Sequence, residues 1–507
     1  MSSFTYKLNS LVLLALLFLC TPFARSFTLP FTPSTRSSLF AKKEVVILGG
    51  GFGGLYTALS FPKRDDLSIT LIAPNDRFTF SPLLYELAVG KCSIDEVCPS
   101  YDSIFSDSES RNSINFIQSS IDSLSLSAKT VNLSNDTNAI KTLRYDYLII
   151  STGKIPLSSH PILYTDYLKT SPRSQNKYIY SSKNSTLQGQ FESINGTWIS
   201  YKTSSNKIKK LRTSEALLLP SYPLNPPPSS SLINSVLNFT SINDALKLRK
   251  KLKTLNSTSK ITIVGGGYSG VELCTSLKEI LNCEVELIQR GDGVLKNSES
   301  EFNVRKSEET LKNNRIDITF NEEVIKTDYI ATSVGDKVNV VLSGGGERLA
   351  DLIIFTQHSI EVKTPYYGDL LLGDKMLIET DECLRCRNIE VKKVYKNIFG
   401  LGDIIKIDND EGKSSAQKSM QQSSIVAYNV LAAVDNRKPL KFEYVDLGEM
   451  VSLGGEGVVS GLGGRVEVGG KVGGVVRKLV YSARMPTGKT KAMNFLGDFK
   501  RSKKSEL

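Results

Sequence analysis

Histidine is nearly missing from this chain: His160 and His358 are the only two among 507 residues. A histidine-rich metal centre therefore has no ligands, and no metal site is expected. Neither histidine follows a Gly-x-Ser-x-Gly turn of the kind that presents a hydrolytic serine. Cysteine is sparse and odd in number, at Cys20, Cys92, Cys98, Cys274, Cys283, Cys383 and Cys386. Such a set does not staple a secreted disulfide scaffold, so the mature chain is expected to work in a reducing compartment. After residue 43 no apolar run is long enough to span a bilayer. Acidic residues are absent from the first 43 positions, which carry Lys7, Arg25, Arg36, Lys42 and Lys43.

The formal charge of +11 raises the question of a polyanionic partner. The excess sits at the ends, because residues 471–507 carry ten basic residues against two acidic ones. The body between is close to neutral, so nucleic acid is not expected as a partner. Residues 11–20 are apolar and follow Lys7, which gives a signal peptide over 1–26. Residues 27–43, rich in Ser, Thr and Pro, have the composition of a transit peptide. The two together resemble the two-part plastid address of algae whose chloroplast lies inside the secretory system. Residues 441–507 form a basic C-terminal region in which, from Lys471, cations interleave with Val, Leu, Tyr, Met and Phe. That pattern predicts peripheral attachment to an anionic membrane or plastoglobule surface. Residues 158–235 shift to Ser, Asn, Lys and Pro and read as a low-complexity insertion without regular structure.

Against this background two segments repeat one design. Residues 45–48, VVIL, run into Gly49-Gly-Gly51-Phe-Gly-Gly54 and a helix-forming stretch, and residues 261–264, ITIV, run into Gly265-Gly-Gly267-Tyr-Ser-Gly270 and another. Strand, G-x-G-x-x-G, helix is a dinucleotide cradle. The first Gly permits the tight turn, the second lets backbone approach a pyrophosphate, the third lets helix and strand pack, and the helix N-terminus supplies N–H donors. A single copy is weak evidence, whereas two in full context predict an α/β protein with two Rossmann-like domains. The economical pair of ligands is a resident flavin and a diffusing nicotinamide donor. Tyr145–Gly153 reads as a buried strand ending in Thr152-Gly153, and Asp403 follows another strand, where its carboxylate can bond a ribityl chain.

These elements, in this order, resemble the two-dinucleotide flavoprotein superfamily and, within it, the type II NAD(P)H:quinone oxidoreductases of the plastid and cyanobacterial branch. The segments that carry the resemblance are Asp76 to Glu86, Gly270-Val-Glu272, Leu447 to Gly454, Arg477 to Tyr481, and Ala416-Gln417-Lys-Ser-Met-Gln421-Gln422, the last like a quinone-site pattern. The resemblance implies FAD at Gly49, Gly51, Gly54, Thr152, Gly153 and Asp403, and NADH or NADPH at Gly265, Gly267 and Gly270. It implies that Glu272 lies near the nicotinamide and flavin rings and that Gln417 and Gln421, one turn apart, line the quinone side. The expected organisation is a first FAD part over 44–157, an NAD(P)H domain over 236–365 and a second FAD part over 366–440. A membrane quinone, plastoquinone or a naphthoquinone such as demethylphylloquinone, is the implied acceptor, and homodimerisation is compatible with this reading.

The chain also departs from the pattern. Ala73 follows the second strand where an acid ordinarily bonds the flavin's adenosine ribose, with Asp76 three residues on, and Phe355-Thr-Gln-His358 lacks a glycine usual in the family. These departures leave open an impaired relative acting as a plastid lipid-body binding protein, and a rival that shares both Rossmann sites is a pyridine-nucleotide disulfide reductase using Cys92 with Cys98 or Cys383 with Cys386. In the nicotinamide unit Gln289 stands nineteen residues after Gly270, where an acid would select NADH, and Arg290 is beside it. NADPH is therefore expected to be accepted at least as well as NADH.

Overall fold

The computed structural model describes residues 42–106, 114–134, 141–156, 235–332, 335–356, 377–388, 393–410 and 414–486, with short pieces between them that include strands within 177–219. In chain order the elements that position the site begin with β1 (Lys43–Leu48), α1 (Phe52–Ser60), β2 (Leu67–Ala73), α2 (Leu84–Ala88), β3 (Ile114–Gln118) and β4 (Tyr147–Ile150). Then come β5 (Val236–Asn238), β6 (Lys260–Val264), α3 (Tyr268–Leu281), β7 (Glu284–Gln289), β8 (Asp317–Phe320) and β9 (Leu352–Phe355). The chain closes with β10 (Val394–Gly400), α4 (Ala416–Val434), β11 (Glu449–Leu453), β12 (Glu456–Gly461), β13 (Val466–Val468) and α5 (Gly470–Arg484).

Two sheets carry the two cradles, the second wholly parallel and the first parallel across the five strands named here. The first contains the order β10-β4-β1-β2-β3, with three short strands beyond β10, and the second is β5-β9-β6-β7-β8. Their central strands are continuous apolar runs because both faces are covered: Val45, Val46, Ile47 and Leu48 of β1 are all buried, as are Ile261 and Ile263 of β6. A third layer, the antiparallel meander β11-β12-β13, leads into α5. The helix lies against β12 so closely that a Cβ on Gly473 would stand 2.2 Å from the carbonyl oxygen of Gly457.

Two expectations change. Within 158–235 the chain forms five antiparallel strands between Lys177 and Leu219, where composition predicted no regular structure. Segments such as Trp198–Thr203 combine aromatic and β-branched residues, and that local β-preference prevails over the surrounding Ser and Asn. The C-terminal helix, read as a surface segment, is embedded along one side: Val476, Arg477, Val480, Tyr481 and Met485 are buried. Its opposite side exposes Val472 and Val475 beside Lys471 and Lys478. Among the described residues no helix is long and apolar enough to cross a membrane. The signal and transit segments, His358 and residues 487–507 lie outside the described residues.

Candidate active site

Four strand ends of the first sheet, those of β1, β2, β4 and β10, converge. Leu48 is in register with both Ile72 and Ile150, Gly49 N–H donates to Ile72 O at 2.8 Å, and Leu401 N–H donates to Ile150 O at 3.0 Å. The carboxyl edge of the sheet thereby gathers Gly49, Thr152, Gly153 and Asp403 around a cavity of about 410 Å³, which also meets Ala416 at the start of α4. Such an edge is where open α/β sheets bind ligands. The glycines divide their tasks as the spacing requires. A Cβ on Gly54 would stand 1.8 Å from the carbonyl oxygen of Gly49, so α1 can pack only on glycine there, whereas a Cβ on Gly51 would meet nothing within 4 Å and would fill the open cradle itself. Burial raises the Asp403 carboxyl above the ordinary aspartate range, with Lys154 opposing the rise. An acceptor of this kind, short of solvent, fits a polyol chain. At the end of β2, Ala73, Asn75 and Arg77 line the cavity but Asp76 does not; its backbone carbonyl accepts from Tyr101 N–H at 3.0 Å. The ribose acid is therefore absent and not replaced by Asp76. The remaining cradle fits a flavin dinucleotide.

The second sheet repeats this geometry. Val264 is in register with Ile288 and Phe355, Gly265 N–H donates to Ile288 O at 2.9 Å, and a Cβ on Gly270 would stand 1.8 Å from Gly265 O, while Gly267 again faces open space. Thr356 Oγ1 donates to the carbonyl oxygens of Val264 and Gly265 at 3.0 and 3.1 Å, so the segment lacking the family glycine braces the nicotinamide turn. Gln289 Oε1 accepts from Gly266 N–H at 2.8 Å, and Arg290 pairs with Glu323 at 3.1 Å. Both residues are thus beside the dinucleotide turn, but each has a protein partner the sequence did not reveal.

Glu272, near the start of α3, is not among the residues lining the flavin cavity. Its Oε1 accepts from Ser452 N–H of β11 at 3.0 Å, and burial pushes its carboxyl up to about 8 although Arg477 and that N–H pull the other way. Close to it lies an ion pair that the sequence concealed. Arg477 of α5 donates to Glu86 of α2 at 2.7 Å, and both are buried. Burial pushes the Glu86 carboxyl up, but Arg477, assisted by the Tyr85 hydroxyl at 2.9 Å, more than reverses this and holds it down to about 2. The guanidinium lies 5.8 Å from the Tyr85 ring centre and 5.4 Å from that of Tyr481. The interleaved basic pattern from Lys471 onward, which predicts a membrane-facing surface, includes Arg477. Nothing local in the sequence distinguished it from Lys478, because its partner is 391 residues away.

Gln417 and Gln421 share one face of α4, as their spacing requires, but they address the chain. Gln417 Nε2 donates to Tyr444 Oη at 2.7 Å, and Gln421 makes a two-way pair with the backbone of Val445, at 2.8 and 3.0 Å. They fasten the 444–446 segment beside α4, and Arg484 of α5 reaches Gln417 Oε1 at 3.4 Å. Across from them Phe52, Tyr56, Phe78, Phe80 and Tyr481 form a chain of edge-on and stacked rings between α1 and α5.

The cysteine pairs do not form a redox centre at the flavin cradle. No cysteine lines the 410 Å³ cavity, and the six described cysteines are all buried and form no disulfide. Cys92 donates to Glu86 at 3.2 Å, burial pushes the Cys98 thiol up to about 12, and burial likewise raises Cys383 and Cys386. Thiols held protonated are poor nucleophiles.

Comparison with known proteins agrees with this geometry. Residues 43–166 and 222–423 match the pyridine nucleotide-disulphide oxidoreductase family, and the gap between the matched stretches falls inside the strand-forming insertion. The chain is 28% identical over 467 residues to the demethylphylloquinone reductase NdbB of Synechocystis sp., covering 88% of this chain and 93% of that protein. It is 25% identical over 489 residues to the alternative NAD(P)H-ubiquinone oxidoreductase C1, chloroplastic/mitochondrial, of Arabidopsis thaliana, covering 88% and 78%. The structure of NDH2 from Plasmodium falciparum in complex with NADH superposes with a TM-score of 0.63 at 18% identity, over 91% of this chain and 98% of that one, which shows a shared fold.

Proposed function

Since this chain belongs to the pyridine nucleotide-disulphide oxidoreductase family, we propose that it is an FAD-dependent, non-proton-pumping NAD(P)H:quinone oxidoreductase. The observation that carries this reading is the pairing of two glycine cradles with a cavity that reaches from Gly51 to Asp403 and the start of α4. Bound FAD would supply the two-electron carrier between the hydride of NAD(P)H and a quinone. The chain's part is placement. Gly49, Gly51 and Gly54 would admit the pyrophosphate to the N–H groups opening α1, Thr152 and Gly153 bound the cavity, and Asp403 would accept from the ribityl hydroxyls. Gly265, Gly267 and Gly270 hold the donor in the same way. Glu272 stands where the nicotinamide domain meets β11 and supplies a buried carboxyl able to hold or release a proton near neutral pH.

The resemblance assigns the acceptor side to α4, where Gln417 and Gln421, held by Tyr444 and Val445, would form its polar wall. Support for a naphthoquinone or plastoquinone acceptor comes from the relatives named above and from the plastid-type leader of residues 1–43. The exposed face of α5, with Val472 and Val475 between Lys471 and Lys478, suits peripheral seating on a thylakoid or plastoglobule surface. The purified mature chain should be yellow and should oxidise NAD(P)H with a soluble quinone. A colourless folded protein, or turnover with oxidised glutathione or lipoamide and none with quinone, would refute the proposal.

A further inference from the structure

The end of β7 is where a dinucleotide fold reads the adenosine 2′ position. Here it is bolted to the glycine turn by the Gln289 Oε1 to Gly266 N–H bond of 2.8 Å, which places Arg290 at the rim. The connection after β8 is bolted to the same rim: Asn321 N–H donates to Gly291 O at 3.2 Å and Glu322 N–H to Gln289 O at 3.3 Å. Of its two acids, Glu322 is turned toward the neighbouring hairpin, accepting from Ser343 Oγ at 2.6 Å and Gly344 N–H at 2.8 Å. Glu323 is turned toward the rim. Its backbone exchanges hydrogen bonds with Ser343, N–H to Oγ at 3.0 Å and carbonyl from N–H at 2.9 Å, and its carboxylate meets Arg290 Nη1 at 3.1 Å. The second cation of this rim, Lys296, is paired with Asp292 at 2.6 Å.

We propose that Glu323 is a specificity-determining residue for the electron donor: its carboxylate holds Arg290 and competes with a 2′-phosphate for that guanidinium. Resting on the reading of the second cradle as the NAD(P)H site, this supplies from β8 the negative charge that β7 lacks at Gln289. The pair is open to solvent, with side chains 73% and 50% exposed, so it is weak enough for a phosphate to displace. Displacement leaves the carboxylate facing the phosphate's own charge, which taxes NADPH and leaves NADH untouched. The site therefore admits both donors, with its selectivity set by an acid that is remote in sequence from the strand that reads the ribose.

The test uses the mature flavin-loaded enzyme and its Glu323→Gln, Arg290→Ala and doubly substituted forms. The expected result for Glu323→Gln is a rise of about threefold to tenfold in the NADPH to NADH ratio of kcat/KM, the scale of one exposed charge contact and its lost repulsion. Inhibition by 2′,5′-ADP, which carries the 2′-phosphate without the nicotinamide, should tighten in parallel, and inhibition by 5′-ADP should not change. In the Arg290→Ala background most of the gain should vanish. An unchanged ratio in Glu323→Gln, or a shift toward NADH, overturns the proposal while both donors are still oxidised. A parent enzyme that oxidises neither donor overturns the NAD(P)H reading itself.

Discussion

The guanidinium of Arg477 and the carboxylate of Glu86 meet at 2.7 Å inside the protein, although 391 residues separate them. Their contact ties the last described helix to a short helix of the first fold, and Ser452, next to the helix in the chain's final layer, holds Glu272 of the nicotinamide fold. Three regions of the chain thus converge on one buried charged cluster.

Removing one partner of that pair strands the other charge. Arg477→Met should cost about 3–5 kcal/mol in urea unfolding, and the double variant with Glu86→Met should recover most of it, because an apolar pair of similar volume carries no desolvation cost. A double variant as unstable as the single one would show that the pair acts through something other than mutual neutralisation.

Glu272 gives stability a pH dependence of a definite sign. Its carboxyl is pushed up to about 8 in the folded chain from an ordinary value of 4.5, so the folded state keeps a proton that the unfolded state releases. Its contribution is most favourable below about pH 4.5 and is lost as pH rises through about 8. Melting temperatures of Glu272→Gln should consequently fall less between about pH 6 and about pH 9 than those of the parent. Parallel curves would remove Glu272 as the cause.

Gly51 and Gly54 should fail differently. Gly54→Ala brings a Cβ to 1.8 Å from a backbone oxygen and should reduce folded yield, whereas Gly51→Ala has open space and should fold normally yet purify with less flavin. Absorbance of bound flavin set against the melting temperature of the flavin-free protein separates the two. Full flavin content in Gly51→Ala would mean that the cofactor does not approach this residue.

Membrane seating is best tested on the exposed face of α5. Truncation after Tyr481 would also remove Arg484, whose carbonyl accepts from the Tyr56 hydroxyl, and Met485, which is buried. Val472→Asp with Val475→Asp alters only residues that are 47% and 58% exposed. The double variant should lose co-sedimentation with anionic liposomes while keeping soluble-quinone turnover. Unchanged sedimentation at equal salt would exclude this face as the contact.

What the sequence determined by itself is local: the strand, glycine turn and helix of each cradle, with Asp403 after its strand, follow from spacing and from conformations that only glycine tolerates at close approach. The antiparallel strands between Lys177 and Leu219 were in principle legible too, in β-branched and aromatic segments that the surrounding polar composition masked. Tertiary structure alone decided the partners. Gln417 and Gln421 have the spacing of a shared face, but spacing cannot say that the face is occupied by residues 444–446. Arg290 and Arg477 are each followed or flanked by ordinary surface-like sequence, yet one pairs at the rim with Glu323 and the other is buried against Glu86. The physical reason is range: backbone preference and periodicity act over a few residues, whereas the choice of a charge's partner depends on which distant segments the packed sheets bring within hydrogen-bond distance.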